Sequence, residues 1–302
     1  MNELFGAQAS RPSTIRRQLS GLRIGLTGHR GFIGQHLVSV LRSLGAQVWL
    51  PEGDVRAAGT WTGDFDLLYH LVAALPDRFA EEPCSGFSVN LDGTLKALEA
   101  CRVREARLVF ASTCGVYSPA ESGAIAESCT VDPQAPYAQS KLMAEMLCSS
   151  YANHFGVPST VLRLFNVYGP GQKLDFLIPY LVECALENCE AIVHNPTNSC
   201  DFVHVSDVVE ALVCSASQKG PFEVLNIGRG RAHTVREVIT TIGDILGCAL
   251  LWKQGDGRPD SQPAGYADIG RAAAVLKWRP TKDLDWGLRN LIREMNPNCD
   301  VR

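Results

Sequence analysis

Tyr137 and Lys141 stand four residues apart in a stretch, from 137 to about 154, whose apolar pattern predicts a long helix. At that spacing both side chains share one helix face. An ammonium close to a phenol draws the phenol pKa down from about 10. A phenolate formed near neutral pH is a general base for a hydroxyl proton. Such chemistry also needs a hydroxyl donor to hold the oxygen whose bonding changes. Ser112 and Thr113 supply two candidates, directly after the apolar run 108–111. That run reads as a strand buried on both faces, and ligands bind beyond the carboxyl ends of strands in open α/β sheets.

A second constellation lies upstream. In TGHRGFIG (27–34), Gly28, Gly31 and Gly34 are spaced G-x-x-G-x-x-G between an alternating strand (Leu22, Ile24, Leu26) and a helical stripe (Leu37, Val38, Leu41, Leu44) that stops at Gly45. This is the strand–turn–helix context of a dinucleotide fingerprint. The first glycine permits the tight turn, the second lets backbone approach a pyrophosphate, and the third allows close helix–strand packing. The phosphates sit on the helix N-terminus. Gly28, Arg30, Gly31, Phe32, Ile33 and Gly34 are therefore candidate cofactor contacts. Glu52 follows Gly28 by 24 residues, just past the second strand. An acid there accepts hydrogen bonds from the adenosine ribose and repels a 2′-phosphate, which favours NAD over NADP. Arg30 and Arg56 stand close enough in sequence to offset that repulsion. Asp54 and Val55 are candidates for the adenine edge. Only about 17 residues separate the second strand from the next apolar run, LLYHL (67–71), so Glu52 and Asp54 are interchangeable in these roles. A nicotinamide cation would lower the Tyr137 pKa further.

The elements that position these groups alternate between strand and helix: strands near 48–50, 67–71, 108–111 and 160–164, and helices near 91–101 and 137–154. The pattern predicts an α/β fold, a Rossmann-type doubly wound parallel sheet. Residues 1–20 show no periodicity and read as a loose N-terminal arm, and 21–168 as the dinucleotide-binding domain. Beyond Gly169 the rhythm loosens into a smaller C-terminal substrate-binding α/β domain, 169–302, with segments returning to the Rossmann domain. In it Leu174, Leu177, Ile178 and Leu181 predict a helix, Ser206 or Asp207 the cap of another, and Thr234 with Glu237 a capping box before a helix ended by Gly247.

Taken in order, TGHRGFIG, LLYHLVAA, VNLDGTLKALEAC, VFASTCGVY, PYAQSKLMAE, RLFNVYGPGQ, DFVHVSDVVEAL, LNIGRG and RPDSQPAGYADIGRAAAVLKWRP run from about residue 22 to 294. The chain thereby resembles the extended short-chain dehydrogenases/reductases of the NAD-dependent epimerase/dehydratase family, which act on nucleotide sugars. The resemblance implies that Tyr137 and Lys141 are its Tyr-x-x-x-Lys pair, with Lys141 also holding the nicotinamide ribose. It implies that Thr113 is the hydroxyl member of the catalytic triad, beside Ser112. Asn166 and Arg258 match residues that bind the substrate diphosphate. His70 to Ala74, with Leu71, Val72 and Ala73, match the strand and turn beside the NAD pyrophosphate, and Asn90 matches a structural asparagine. The helices near 86–103 and 137–154 match those that pair across a two-fold axis, implying a homodimer.

The implied activity is NAD-dependent epimerisation of a nucleotide-activated sugar through a transient keto intermediate. Alternatives are an NAD(P)-dependent sugar reductase or dehydrogenase and a nucleotide-sugar dehydratase. In a different class stands a dinucleotide-binding regulatory module without turnover; the joint presence of Tyr137, Lys141 and Thr113 favours catalysis. Three departures bear on the choice. Cys200 stands where the family has an arginine that contacts substrate phosphates, before Asp201. Cys114 and Gly115 follow Thr113 where dehydratases have Asp-Glu and decarboxylating members keep a glutamate two residues on, which favours epimerisation or simple oxidoreduction. Val72 is a larger residue than usual in its turn.

Composition excludes other classes. The chain has 302 residues, 46% hydrophobic and 20% charged, and a net charge of −4, with no basic run for nucleic acid or an anionic membrane surface. No stretch approaches the roughly 18 apolar residues of a membrane span, and the first residues lack a signal-like apolar core. The 11 scattered cysteines form no CxxC and no zinc-spaced cluster, which predicts reduced thiols in a cytoplasmic protein and no metal.

Overall fold

The computed structural model describes residues 11–256 and 263–298. In chain order the N-terminal part comprises α1 (Arg11–Leu19), β1 (Arg23–Thr27), α2 (Phe32–Ser43), β2 (Gln47–Trp49), β3 (Leu67–His70), α3 (Pro76–Glu81), α4 (Pro83–Arg104), β4 (Arg107–Thr113), β5 (Ser122–Ile125), α5 (Pro136–His154) and β6 (Ser159–Leu164). There follow β7 (Asn166–Tyr168), α6 (Leu177–Leu186), β8 (Ala191–Val193), β9 (Ser199–His204), α7 (Val205–Ser215), β10 (Phe222–Ile227) and β11 (Ala232–Thr234). The last are α8 (Val235–Leu246), β12 (Trp252–Gln254), β13 (Ala264–Ala267), α9 (Gly270–Val275) and α10 (Leu284–Met295).

Six strands form one parallel sheet in the order β10-β6-β4-β3-β1-β2. The chain leaves β1 towards β2 on one side and returns to β3 on the other, so the strand order reverses beside β1. That is the switch point at which doubly wound sheets hold ligands. The strands alternate their side chains between two covered faces, as the pleat requires. Leu67 and Tyr69 enter one core with α1, α2 and α7, while Leu68, Leu108 and Phe110 enter another with α4 and α5. Burial on both faces explains why the strands read as continuous apolar runs.

A second sheet takes the order β11-β9-β13-β5, with β7 beside β9. A third core joins α6, α8 and α10 through Leu181, Ile239, Ile242, Leu288 and Ile292. The C-terminal half does not keep to itself. β10 completes the six-stranded sheet, Val208 and Leu212 of α7 enter the core beneath it, and β5 from the N-terminal half pairs with β13.

Three local expectations are corrected. Residues 11–19 are helix and not part of a loose arm: Ile15 and Leu19, one turn apart, are buried in the first core. The sequence there carries only these two apolar anchors, too few for a periodic signal, and tertiary burial supplies the rest. The cap of α7 is neither Ser206 nor Asp207 but His204, whose Nδ1 accepts the Ser206 N–H at 3.2 Å. Asp207 instead turns back, buried, to accept the N–H groups of Thr281 and Lys282. Leu174 lies before α6, which begins at Leu177. The capping box of Thr234 and Glu237 is present, and Gly247 ends α8 in the left-handed conformation.

Candidate active site

The glycine turn is shaped by contacts that only glycine tolerates. Gly28 has φ +74°, and a Cβ there would come within 2.7 Å of the Val72 backbone nitrogen and 2.8 Å of the Leu71 carbonyl carbon. The turn after β1 is thus pressed against the segment that leaves β3. A Cβ on Gly34 would run into the Gly28 carbonyl oxygen, so the third glycine lets α2 close onto the turn. Gly31 is the N-cap of α2 and offers no side-chain acceptor. The first N–H groups of α2 therefore face outward without a capping side chain, at the positive end of the helix dipole. This cradle fits a pyrophosphate, with Phe32, Ile33 and Gly34 in the first helical turn.

The acids past β2 each have an arginine. Glu52 is bound by Arg30 at 2.5 Å and approached by His29 at 3.9 Å. Asp54 is chelated by Arg56, whose hydrogen bonds hold its carboxyl down at about 2. Glu52 thus reaches back to the glycine turn, while Asp54 closes on its own loop. Val55 is buried against α4, with its Cγ2 where a Cβ on Gly93 would meet it at 2.8 Å. Leu71, Val72 and Ala73 are half-buried in the loop after β3. Asn90 of α4 fixes that loop: its Oδ1 accepts the Ala74 N–H at 2.7 Å, and its Nδ2 donates to the Ala74 carbonyl and to Ser140. Ser140 in turn donates to the Tyr137 carbonyl at 2.6 Å. One buried amide therefore ties the β3 loop to the first turn of α5, which accounts for a structural role.

α5 begins with Pro136 at its first position, a residue suited to a helix start. Tyr137 is half-buried there, edge-on to Phe79 at 6.3 Å. The turn after β4 meets the same helix end, because a Cβ on Gly115 would lie 3.3 Å from the Ala138 Cβ. Thr113, at the carboxyl end of β4, accepts the Gly115 N–H through its Oγ1 at 3.2 Å, and its hydroxyl also hydrogen-bonds the neighbouring Cys114 thiol. Lys141 is buried with its Nζ 4.1 Å from the centre of the Phe110 ring. Burial draws the Lys141 ammonium down to about 8, opposed by the charges of Cys148 and Glu145. In the chain alone, burial pushes the Tyr137 phenol up to about 12, with a smaller push from Cys114. The lowering expected from the Tyr137–Lys141 spacing is therefore not produced by the chain by itself.

His70, stacked 6.0 Å from Phe110, shares a hydrogen bond with Thr27 at 2.9 Å and is held neutral, at about 3, by burial and by Lys141. Cys114 is buried, and its thiol is pushed up to about 12 by burial and by the charges of Cys200 and Asp201. Asn166, half-buried, opens β7 opposite Phe202 of β9. Cys200 lies on β9 opposite His233 of β11. Asp201 beside it is buried and accepts the N–H groups of Arg229, Gly230 and Ala267, so it binds three chain segments together. Arg258 lies outside the described residues.

The sequence reading missed one buried network. Ser112 directs its hydroxyl to Glu145 of α5, and Glu145 pairs with Arg163 of β6 at 2.7 Å. Any contact of Ser112 with a cofactor is thus left to its backbone. Arg163 covers the ring of Tyr117 at 4.8 Å, and the Tyr117 hydroxyl donates to Asn226 at 2.7 Å. The available signal was spacing: Glu145 follows Lys141 by one turn on the same helix face. Among the described residues, no group of three or more His, Cys, Asp or Glu side chains is placed to hold a metal ion.

A doubly wound sheet with a glycine turn at its switch point, in a chain that carries Thr113 at the end of β4 and Tyr137 and Lys141 on α5, fits a nicotinamide-dependent enzyme of the short-chain dehydrogenase/reductase type. Residues 24–228 match the NAD dependent epimerase/dehydratase family, and the chain belongs to it. It is 32% identical over 233 residues to the uncharacterized UDP-glucose epimerase YtcB of Bacillus subtilis, covering 75% of this chain and 73% of that one. It is 28% identical to UDP-glucuronic acid decarboxylase 6 of Arabidopsis thaliana, covering 92% and 90%. MoeE5, solved in complex with UDP-glucose and NAD, superposes with a TM-score of 0.84 at 30% identity, over 91% of this chain and 99% of that one. NAD is the cofactor of the family.

Proposed function

We propose that this chain is an NAD-dependent epimerase of a nucleotide-activated sugar, inverting a hydroxyl-bearing carbon through a transient keto intermediate, with UDP-hexoses as the substrate class. When bound, NAD supplies reversible two-electron oxidation of a carbinol. The protein's part is to bind, orient and move a proton. The α2 N-terminus, with Gly28, Arg30, Gly31, Phe32, Ile33 and Gly34, would hold the pyrophosphate. Glu52 is the ribose acid, with Asp54 and Val55 at the adenine edge and Leu71, Val72 and Ala73 along the β3 side. Ser112 would contribute its backbone, and Lys141 with Tyr137 would hold the nicotinamide ribose. Tyr137 accepts the proton of the sugar hydroxyl and later returns it. Because burial holds its phenol high, it works as a base only when positive charge is added to its surroundings. Thr113 donates its hydroxyl to the oxygen as it becomes carbonyl. Asn166 and Arg258 are assigned to the substrate diphosphate. In the chain's organisation, 21–168 carries the cofactor and the cores beyond 169 carry the substrate.

One observation carries the choice of reaction. The two residues after Thr113 offer no acid or base: Cys114 is buried with its thiol at about 12, and Gly115 has no side chain. Water elimination needs a carboxylate pair there, and none is present. Epimerisation needs only the proton acceptor and the carbonyl donor. A dehydrogenase using the same residues would instead show net redox change with an exchangeable cofactor. A binding module without turnover would have no use for the Tyr137, Lys141 and Thr113 set. The test is conversion of UDP-glucose and UDP-glucuronic acid without added cofactor. An epimer, lost in Tyr137→Phe, supports the reading; net formation of reduced cofactor, carbon dioxide release or a dehydrated product refutes it.

A homodimer through α4 and α5 is proposed with it. Leu95, Val103, Met143 and Met146 expose apolar surface along these two packed helices, and Val103 is 70% and Met146 65% exposed. Contiguous apolar surface of this kind marks an interaction face. A cytoplasmic location is proposed from the free thiols of the described cysteines. No helix among the described residues is long and apolar enough to cross a membrane.

A further inference from the structure

Glu145 is a carboxylate that the proposed reaction does not use, and it lies buried at 5% exposure. Its Oε1 accepts the Ser112 hydroxyl and, at 3.1 Å, the Nε of Arg163, while its Oε2 accepts Nη2 of Arg163 at 2.7 Å. Ser112 and Arg163 are directly opposite one another on β4 and β6. One carboxylate from α5 therefore bridges two neighbouring strands at their carboxyl ends, and the strand residue next to Ser112 is Thr113. Burial works against the Arg163 charge, and the hydrogen bonds and charge of Glu145 more than offset it. The guanidinium is further seated on Tyr117, which is anchored to Asn226 of β10. Buried ion pairs of this kind contribute little net stability compared with apolar packing, because both charges lose their water. What such a pair does supply is a fixed geometry.

We propose that Glu145 is a positioning residue: it locks the end of β4 that carries Thr113 to the face of α5 that carries Tyr137 and Lys141. The inference rests on the catalytic reading of those three residues. It also has an electrostatic side. The charged or titratable groups acting on Lys141 are Glu145 and Cys148 from its own helix and His70 from β3. Glu145 opposes the loss of the Lys141 proton that burial favours. Removing the Glu145 charge should let Lys141 titrate at lower pH.

Glu145→Gln keeps the shape and removes the charge. The titration midpoint of Lys141 can be read by NMR on protein carrying 13C-labelled lysine, with Lys141→Arg giving the assignment. The midpoint is expected to fall by about one pH unit or more in Glu145→Gln. In turnover of the nucleotide sugar, kcat is expected to fall by about tenfold or more with KM within about twofold, and the basic limb of the pH profile to move by the same interval as the midpoint. A purely structural role predicts a less stable protein whose folded molecules keep the wild-type kcat and the wild-type Lys141 midpoint; that result overturns the proposal. If Glu145→Gln fails to fold, Ser112→Ala decides. It releases the β4 end while leaving the ion pair, and kcat should fall several-fold with the Lys141 midpoint unmoved. An unchanged kcat in Ser112→Ala overturns the positioning role. Failure of the epimerase reading is a different result, namely wild-type protein inactive on every nucleotide sugar, and the Lys141 midpoint still reads the coupling to Glu145 in that case.

Discussion

Replacing Lys141 by methionine should stabilise the protein while abolishing its chemistry. The ammonium is buried to 3% exposure and sits over the Phe110 ring. Burial moves its pKa from the ordinary 10.5 to about 8. That shift corresponds to about 3 kcal/mol of cost for keeping the charge inside the folded chain. Methionine has a similar length and no charge, so it removes the cost, less the attraction to the Phe110 ring, which is worth about 1–2 kcal/mol. The net gain expected at pH 7 is about 1–2 kcal/mol. Its pH dependence follows from linkage. Below pH 8 the lysine is protonated in both folded and unfolded chains, and the folded chain carries the full cost. Between about 8 and 10.5 the folded chain has released the proton and the unfolded chain still holds it, so wild-type stability rises with pH and the advantage of Lys141→Met fades. Urea unfolding of cofactor-free protein at pH 7 and pH 10, for wild type and variant, measures both numbers. A variant less stable than wild type at pH 7, or an advantage that does not shrink with pH, refutes the reasoning.

Other expectations are as specific. Gly34→Ala places a methyl against the Gly28 carbonyl and should abolish NAD retention, read by mass spectrometry of the denatured protein, with a loss of stability of about 1–3 kcal/mol from overpacking. Thr234→Ala removes the capping box of α8 and should cost about 1 kcal/mol in chemical denaturation, with no change in turnover, because α8 packs in the third core with α6 and α10, and α5 packs in another. Arg163→Met leaves the Glu145 charge buried without its partner and should cost about 3–5 kcal/mol by the same measurement. Met146→Asp puts a charge on the exposed α5 surface and should shift sedimentation towards monomer at micromolar concentration; a monomeric wild type contradicts the proposed dimer.

Much of the fold was legible because it rests on short-range rules. The glycine spacing located the β1–α2 turn, and the continuous apolar runs marked strands buried on both faces. Other features depended on partners distant in sequence. Residues 11–19 become helix through Ile15 and Leu19 docking into a core built mainly by later elements. The cap of α7 fell to His204 because Asp207 is drawn inward to the segment at 281–282. Of the site, the residue types and their order could be read, since Tyr137, Lys141 and Thr113 sit on regular elements. What could not be read was that Ser112 turns its hydroxyl to Glu145, that Glu52 returns to Arg30, and that Lys141 is desolvated over Phe110. These are set by side-chain burial between strands far apart in sequence, and periodicity carries no information about it.

The central claim is that Tyr137, served by Thr113 and Lys141, moves the proton in a redox-neutral inversion of a nucleotide sugar. The most direct test is proton NMR of UDP-glucose and UDP-glucuronic acid incubated with freshly purified wild-type protein and with Tyr137→Phe, each checked for retained NAD. The account predicts an epimeric sugar from one of them at equilibrium with no net cofactor reduction, and a loss of about 100-fold or more in Tyr137→Phe that still holds NAD. Equal conversion by the two proteins, or a product lacking water or carbon dioxide, contradicts it.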